Sequence, residues 1–241
     1  MPALDVWPAP SGWPALPAHA ALLLDLDGTL IEFAPTPDRV VIPPDLPQRL
    51  RVVRRKLNDA LAIVTGRPIA QVDLLLGDAP FAVAGEHGTA LRRSPAARIE
   101  HVALPALPAG WIAAAQEAAA GHTGALYEPK AHGFVLHFRR APAAGAALHA
   151  AAAAILADHP DFMLMAANMA WEVKPRAADK GSAVRALMAQ PPFRGRLPIY
   201  IGDDVTDEDG MRAARALGGF GWRMQERFGT PAAVRAWLAT V

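Results

Sequence analysis

Asp25 and Asp27 close an apolar run in the stretch Leu22-Leu23-Leu24-Asp25-Leu26-Asp27-Gly28-Thr29-Leu30. The run reads as a buried strand. Side chains two apart on extended backbone point the same way, so the two carboxylates can face a common space. Asp27-Gly28 begins a turn that frees the strand end. Such a pair suits a metal site or acid/base work; the alternative is a solvated Asp-Gly turn. Three further pieces favour chemistry: Thr65 in Thr65-Gly66-Arg67, Lys180, and Asp203-Asp204 after Gly202. Together these types match displacement at phosphorus. A carboxylate can attack phosphorus and form an aspartyl-phosphate. Clustered carboxylates repel each other and a phosphate dianion, so a hard cation is needed, and Mg²⁺ suits oxygen ligands. A threonine hydroxyl and a lysine can bind the transferring phosphoryl oxygens.

The surrounding elements set these groups at strand ends or, for Lys180, at the start of a helix. Ala60–Val64 reads as a second buried strand, ending in Thr65-Gly66-Arg67, and Pro68 suits the first turn of a following helix. Phe81–Ala84 reads as a third strand, closed by Gly85-Glu86-His87-Gly88. A helix lies between the first two strands, with Asp45 as its cap and Gln48 three residues on. Strand, helix, strand, helix, strand predicts a parallel sheet with helices on both faces. The pattern resumes late: a helix over 181–189, a strand over 197–201 ending in Gly202-Asp203-Asp204, a helix capped by Thr206, and a final helix opened by Thr230-Pro231. In open α/β sheets, ligands bind beyond the carboxyl ends of the strands.

Between these halves the pattern changes. A strand near 99–104, a helix near 109–120, a hairpin over 125–139, a helix near 143–157, and strands near 162–165 and 169–173 predict an antiparallel sheet in an inserted second domain. Residues 1–18 read as an irregular Pro-rich arm, and Thr36–Asp45 as a Pro-rich loop.

The chain has 241 residues, 52% hydrophobic and 20% charged, enough for a sizeable core. A net charge of +1 argues for neither a nucleic-acid nor a membrane partner. The absence of cysteine excludes disulfides and thiol catalysis. Nothing at the start resembles a signal peptide, and no apolar run has the length of a membrane span. The expectation is a cytoplasmic protein.

Asp25-Leu26-Asp27-Gly28-Thr29-Leu30, Thr65-Gly66-Arg67, Lys180 and Gly202-Asp203-Asp204 resemble, in order, the four motifs of the haloacid dehalogenase-like phosphatases. Two further runs resemble the trehalose-6-phosphate phosphatase family: Gly202-Asp203-Asp204-Val205-Thr206-Asp207-Glu208-Asp209, and Glu172-Val173-Lys174-Pro175-Arg176 with Lys180-Gly181 following. The resemblance runs from about Leu22 to Leu217. It implies an α/β fold: a Rossmann-like parallel-sheet core, residues 1–91 and 175–241, with an inserted α+β cap domain on an antiparallel sheet, residues 92–174. It also implies the roles. Asp25 is the nucleophile and a Mg²⁺ ligand. Asp27 is the general acid/base, its backbone carbonyl on the metal. Thr65 and Lys180 bind the phosphoryl group. Asp203 ligates Mg²⁺, with Asp204 beside it. Gly28, Gly66 and Arg67 complete the phosphate side. Asp207 is open between a site role and simple stabilisation of a helix start.

The inserted domain resembles the family's cap, which closes over the phosphate site and reads the sugar. Glu128 and Lys130 share one face of the hairpin, and His137 and Arg139 share a face, with Phe134, Leu136 and Phe138 alternating on the other. Asn168 and Glu172 fall in phase on the last cap strand. These six resemble sugar-reading groups, and charged side chains bind sugar hydroxyls by charge-assisted hydrogen bonds. Ala167-Asn168 stand where the family often carries Gly-Lys, and Phe220-Gly221-Trp222-Arg223-Met224 replaces a usual Gly-rich segment. The activity implied is Mg²⁺-dependent hydrolysis of trehalose 6-phosphate, with a separate trehalose-phosphate synthase as functional partner. The alternatives are a phosphatase of sucrose phosphate or mannosyl-glycerate phosphate, and a catalytically silent sugar-phosphate sensor.

Overall fold

The computed structural model describes residues 16–34, 39–130, 132–176 and 179–241. Most of the expected N-terminal arm and the stretch 36–38 of the Pro-rich loop lie outside these. The chain forms two compact units: one runs to Val102 and resumes at Asp179, and the other is Ala103–Ala178.

The first unit is built on β1 (Ala20–Leu24), β2 (Leu61–Val64), β3 (Ala82–Gly85), β4 (Ala90–Arg92), β5 (Glu100–His101), β10 (Leu197–Gly202) and β11 (Phe220–Arg223). Their order in one sheet is β11-β10-β1-β2-β3-β4-β5. The pairs β11/β10, β10/β1, β1/β2 and β2/β3 are parallel. Every residue of β1, β2 and β3 is buried, which is why these strands read as continuous apolar runs. The helices are α1 (Leu46–Lys56), α2 (Ile69–Leu76), α5 (Lys180–Met188), α6 (Asp207–Ala216), α7 (Met224–Arg227) and α8 (Pro231–Leu238).

The domain limits differ from the expected ones. After Gly88 the chain turns back as β4 antiparallel to β3, and β5 pairs antiparallel with β4. The strand expected near 99–104 is therefore only Glu100–His101, and it extends the core sheet. The division falls at 102/103 and 178/179, not at 91/92 and 174/175.

Two expected caps do not form. Asp45 and Thr206 have helical backbone angles and make no side-chain cap, because a capping side chain reaches back only from extended backbone. Asp45 bonds Arg49 instead. Thr230 is extended, and its hydroxyl accepts from Ala233 N at 3.3 Å. The segment at Phe220 forms the edge strand β11, and Trp222 packs with Phe228 and Trp237.

The second unit holds α3 (Trp111–Ala120), β6 (Leu126–Lys130), β7 (Gly133–His137), α4 (Gly145–Leu156), β8 (Phe162–Ala167) and β9 (Ala170–Pro175). Its sheet, ordered β6-β7-β9-β8, is antiparallel throughout. Phe134, Leu136, Phe162 and Val173 pack against Trp111, Ala115, Leu148 and Ala152 of the two helices. Strand residues alternate faces, so the other face carries Glu128, Lys130, Val135, His137, Glu172 and Lys174. No helix among the described residues is long and apolar enough to cross a membrane.

Candidate active site

β1 ends at Leu24 and β10 at Gly202, side by side and parallel. Asp25 and Asp203 therefore emerge together. Asp25 N also bonds Ile201 O at 2.9 Å, which fixes the first carboxylate to the neighbouring strand. Lys180 opens α5, whose N-cap Asp179 accepts from Ser182 N at 2.6 Å. The cap thus sets where the lysine begins its reach.

The Lys180 ammonium donates to Asp25 Oδ1 at 2.7 Å and to Asp207 Oδ1 at 2.7 Å. Tyr200 OH donates to the same Asp207 oxygen at 2.6 Å. Asp207 Oδ2 accepts from the backbone N–H of Asp203 and Asp204, at 3.2 and 3.1 Å. Ligand oxygens of Asp25, Asp203 and Asp207 lie within 4.8 Å of one another, all buried. Thr29 Oγ1 donates to Asp203 Oδ1 at 3.1 Å. Gly28 has φ +80, and a Cβ there would lie 2.2 Å from Asp203 Oδ2, so only glycine lets this carboxylate approach.

Burial, together with Asp207 and Asp203, pushes Asp25 well above the usual carboxylate range, although Lys180 pulls the other way. Burial and then Asp207 raise Asp203. For Lys180 burial acts downward, but the two carboxylates outweigh it and raise the ammonium. Burial and Asp207 raise the Tyr200 phenol. Three buried carboxylates face one buried ammonium, a local excess of negative charge that a hard cation relieves. Both Asp207 oxygens are engaged, so Asp25 and Asp203 are the carboxylates left to hold one.

Thr65 is buried at the end of β2, and its Oγ1 accepts from Arg67 N at 3.2 Å. Arg67 grips Asp27 with two bonds, Nε to Oδ2 at 2.6 Å and Nη2 to Oδ1 at 2.7 Å. That fork raises the Arg67 guanidinium. Asp25, Asp27, Thr65, Gly66, Arg67, Lys180, Asp203, Asp204 and Asp207 all line one open cleft of about 310 Å³.

Of the expected metal set of Asp25, Asp27, Asp203 and Asp204, with Asp27 acting through its backbone carbonyl, the carboxylates of Asp25 and Asp203 lie together. The third carboxylate beside Asp25 and Asp203 is Asp207. The exposed Asp204 turns its carboxylate to Val205 N at 2.7 Å, and Asp27 is held by Arg67. Glu208 and Asp209 bond Arg223 and Arg212. The Phe220 segment also acts here: Arg223 Nη1 and Gln225 Nε2 donate to Asp203 O at 3.2 and 3.1 Å. Tyr200 and Gln225 read as ordinary residues of their elements and carry no signal in the sequence, whereas Thr29 stands inside the first motif but has no role assigned to it there.

The match to known proteins follows this geometry. The family model described as Trehalose-phosphatase matches residues 23–227. The chain belongs to the trehalose-phosphatase family. A probable trehalose-phosphate phosphatase of Sinorhizobium fredii is 42% identical over 205 residues, covering 85% of this chain and 77% of that protein. The trehalose-6-phosphate phosphatase of Escherichia coli is 38% identical over 225 residues, covering 93% and 83%. A solved Aspergillus fumigatus trehalose-6-phosphate phosphatase superposes with TM-score 0.74 at 24% identity, covering 95% of this chain and 98% of that one. The fold is thus the expected α/β one, and the chain is a phosphoric monoester hydrolase.

In the second unit, Glu128 pairs across to Val135, and Val135 to Glu172, in one row. Glu128 bonds Lys130, and its Oε2 meets His137 Nε2 at 2.7 Å. The Lys130 bond, then His137, lower the Glu128 carboxyl. Arg139 and Asn168 are not in this row. Arg139 lies past the end of β7, and Asn168 sits exposed in the turn between β8 and β9, not on a strand. The in-phase reading failed because Asn168-Met169 makes the turn itself, with Met169 at φ +56.

Proposed function

We propose that this enzyme hydrolyses trehalose 6-phosphate through an aspartyl-phosphate with Mg²⁺ as cofactor. The observation that carries the reading is the buried Asp25–Lys180–Asp207 chain beside Asp203, at the ends of two adjacent parallel strands. Asp25 Oδ attacks phosphorus while the bond from phosphorus to the sugar oxygen breaks. Asp27 delivers its proton to that leaving oxygen. Asp27 then takes a proton from water as the water oxygen attacks phosphorus, and the bond to Asp25 breaks to release phosphate. Lys180 and Thr65 hold the phosphoryl oxygens. Asp25 and Asp203 would hold Mg²⁺, which supplies charge neutralisation at the phosphoryl group when bound. Asp27 starts with both oxygens on Arg67, so proton transfer requires that fork to loosen when substrate arrives.

The sugar-reading groups in this proposal are Glu128, Lys130 and Glu172 on the open face of the four-stranded sheet, with His137 orienting Glu128. Trehalose 6-phosphate is the substrate named for the E. coli relative. A separate synthase supplies it in this reading. The test is phosphate release from a panel of sugar phosphates, with and without Mg²⁺. Preference for trehalose 6-phosphate and silence after chelation support the proposal. Preference for sucrose phosphate moves the function to that substrate, and full activity after chelation removes the metal.

A further inference from the structure

The loop Gly85-Glu86-His87-Gly88 has no part in the chemistry described so far, yet it holds two consecutive non-glycine residues in the left-handed region. Glu86 has φ +51 and His87 φ +57. Single left-handed residues outside glycine are uncommon, and a pair persists only where surrounding structure imposes it. Here the surroundings are the phosphate loop. Glu86 N donates to Arg67 O and His87 N to Thr65 O, each at 3.0 Å. Both bonds tie the loop to the Thr65–Arg67 segment. The consequence for the side chain is specific. A Cβ added to Gly66 would lie 2.7 Å from both Cε1 and Nε2 of His87. The imidazole therefore lies over the Gly66 α-carbon, and it lines the same cleft as Asp25, Thr65 and Lys180. Glu86 does not line that cleft. The Gly66 position is thus explained by the ring rather than by backbone need.

We infer that His87 is a substrate-contacting residue, and that the strained loop exists to set its imidazole beside the phosphate monoester held between Asp25 and Thr65. An imidazole N–H there can donate to a phosphoryl oxygen or to a sugar hydroxyl next to the ester. The inference rests on the phosphatase reading but not on the identity of the sugar.

His87→Gly is a clean deletion, because glycine adopts left-handed backbone without a Cβ penalty. Glu86→Gly relieves the same strain one residue away without touching the cleft. The inference predicts unchanged or raised Tm for both variants. It predicts at least a tenfold loss of kcat/KM for His87→Gly alone, and part of that loss restored in His87→Asn, since asparagine tolerates this conformation and keeps a hydrogen-bonding group. The loss is read on trehalose 6-phosphate and on p-nitrophenyl phosphate. A loss on both locates the contact on the phosphoryl group; a loss on the sugar ester alone locates it on the sugar. His87→Gly as active as wild type on both esters overturns the inference. So does equal loss in His87→Gly and Glu86→Gly, which makes the loop a purely structural tie. If wild type cleaves p-nitrophenyl phosphate but not trehalose 6-phosphate, the substrate proposal fails while the His87 comparison is still read, on p-nitrophenyl phosphate and on the best sugar phosphate of the panel.

Discussion

The cleft at the ends of β1 and β10 and the open face of the four-stranded sheet both gather charged side chains, but they hold them in opposite ways. In the cleft, Asp25, Lys180 and Asp207 are buried, and Lys180 makes two bonds and Asp207 accepts four. On the sheet face, Glu128 and Lys130 are about half exposed and hold each other, with His137 beside them. Glu172 has no ion-pair partner among the described residues. A buried charge must be paired or it destabilises the fold, so a cleft of this kind is fixed before any ligand arrives. Exposed pairs contribute little to stability, so the sheet face is free to vary in side chain and in what it binds. Chemistry built into the core and discrimination carried on a tolerant surface is the division the two regions suggest.

The strongest way to break that division is Asp25→Asn. Turnover should fall to background on trehalose 6-phosphate and p-nitrophenyl phosphate alike, read by phosphate release and by loss of a beryllium-fluoride adduct. The fold should survive, because burial already pushes Asp25 toward its neutral form. A variant that keeps turnover would remove the nucleophile from the cleft. Asp207→Asn comes next. The carboxylate accepts from Lys180 and Tyr200 on one oxygen and from two backbone N–H groups on the other. An amide accepts on one side only, so one set of donors loses its acceptor, at about 1–3 kcal/mol for each unsatisfied buried group. Tm should fall, and kcat should fall by roughly 10²-fold on both esters, as expected for misplaced reacting groups.

Glu128→Ala and Glu172→Ala sharpen the comparison from the other side. Each should lower kcat/KM for trehalose 6-phosphate by roughly 10²-fold, the scale of a buried polar partner left unpaired in the bound state. Each should leave p-nitrophenyl phosphate hydrolysis and Tm near wild type. Equal losses on both esters would mean these residues hold the fold, and the division between the regions would fail.

The same contrast explains what was legible in the sequence. The strands under the cleft are short apolar runs with motif residues at their ends, so Asp25, Thr65 and Asp203 could be read directly, and Lys180 by its place at the start of α5. Asp207 could not be separated from a helix-start carboxylate, because what sets it apart is the bond from Lys180, 27 residues away in the chain. Thr206 has the composition of a cap, but its backbone is already helical. β11 is four residues with a glycine inside and carries no period. The left-handed backbone of Glu86 follows no local preference, and the Glu86-His87 pair is tied by its bonds to the Thr65–Arg67 segment. On the sheet face, alternation located Glu128, Lys130, His137 and Glu172, but placed Asn168 on a strand where the chain turns.

The smallest effect expected is on stability, and its sign with pH tests whether cleft charge is what a cation relieves. Asp25 and Asp203 have folded-state pKa values raised above those of the unfolded chain. Between the unfolded and folded pKa the native state binds more protons, so metal-free stability falls as pH rises through that window and is lowest above the folded values. Mg²⁺ requires both groups ionised, so its stabilisation should be largest where the metal-free cleft is least stable. Saturation at about 100 times Kd contributes about 2.7 kcal/mol, which corresponds to roughly 5–10 °C for a chain of this size. Thermal melts should therefore show a Mg²⁺-dependent rise in Tm that is largest above the raised titration of the two carboxylates and shrinks as pH falls through it and they protonate. Asp25→Asn should lose most of the rise, because one ligand is gone, while Glu128→Ala should keep all of it. A Mg²⁺ shift that is independent of pH, or that survives in Asp25→Asn, would place the ion outside the cleft and leave its excess negative charge without a partner.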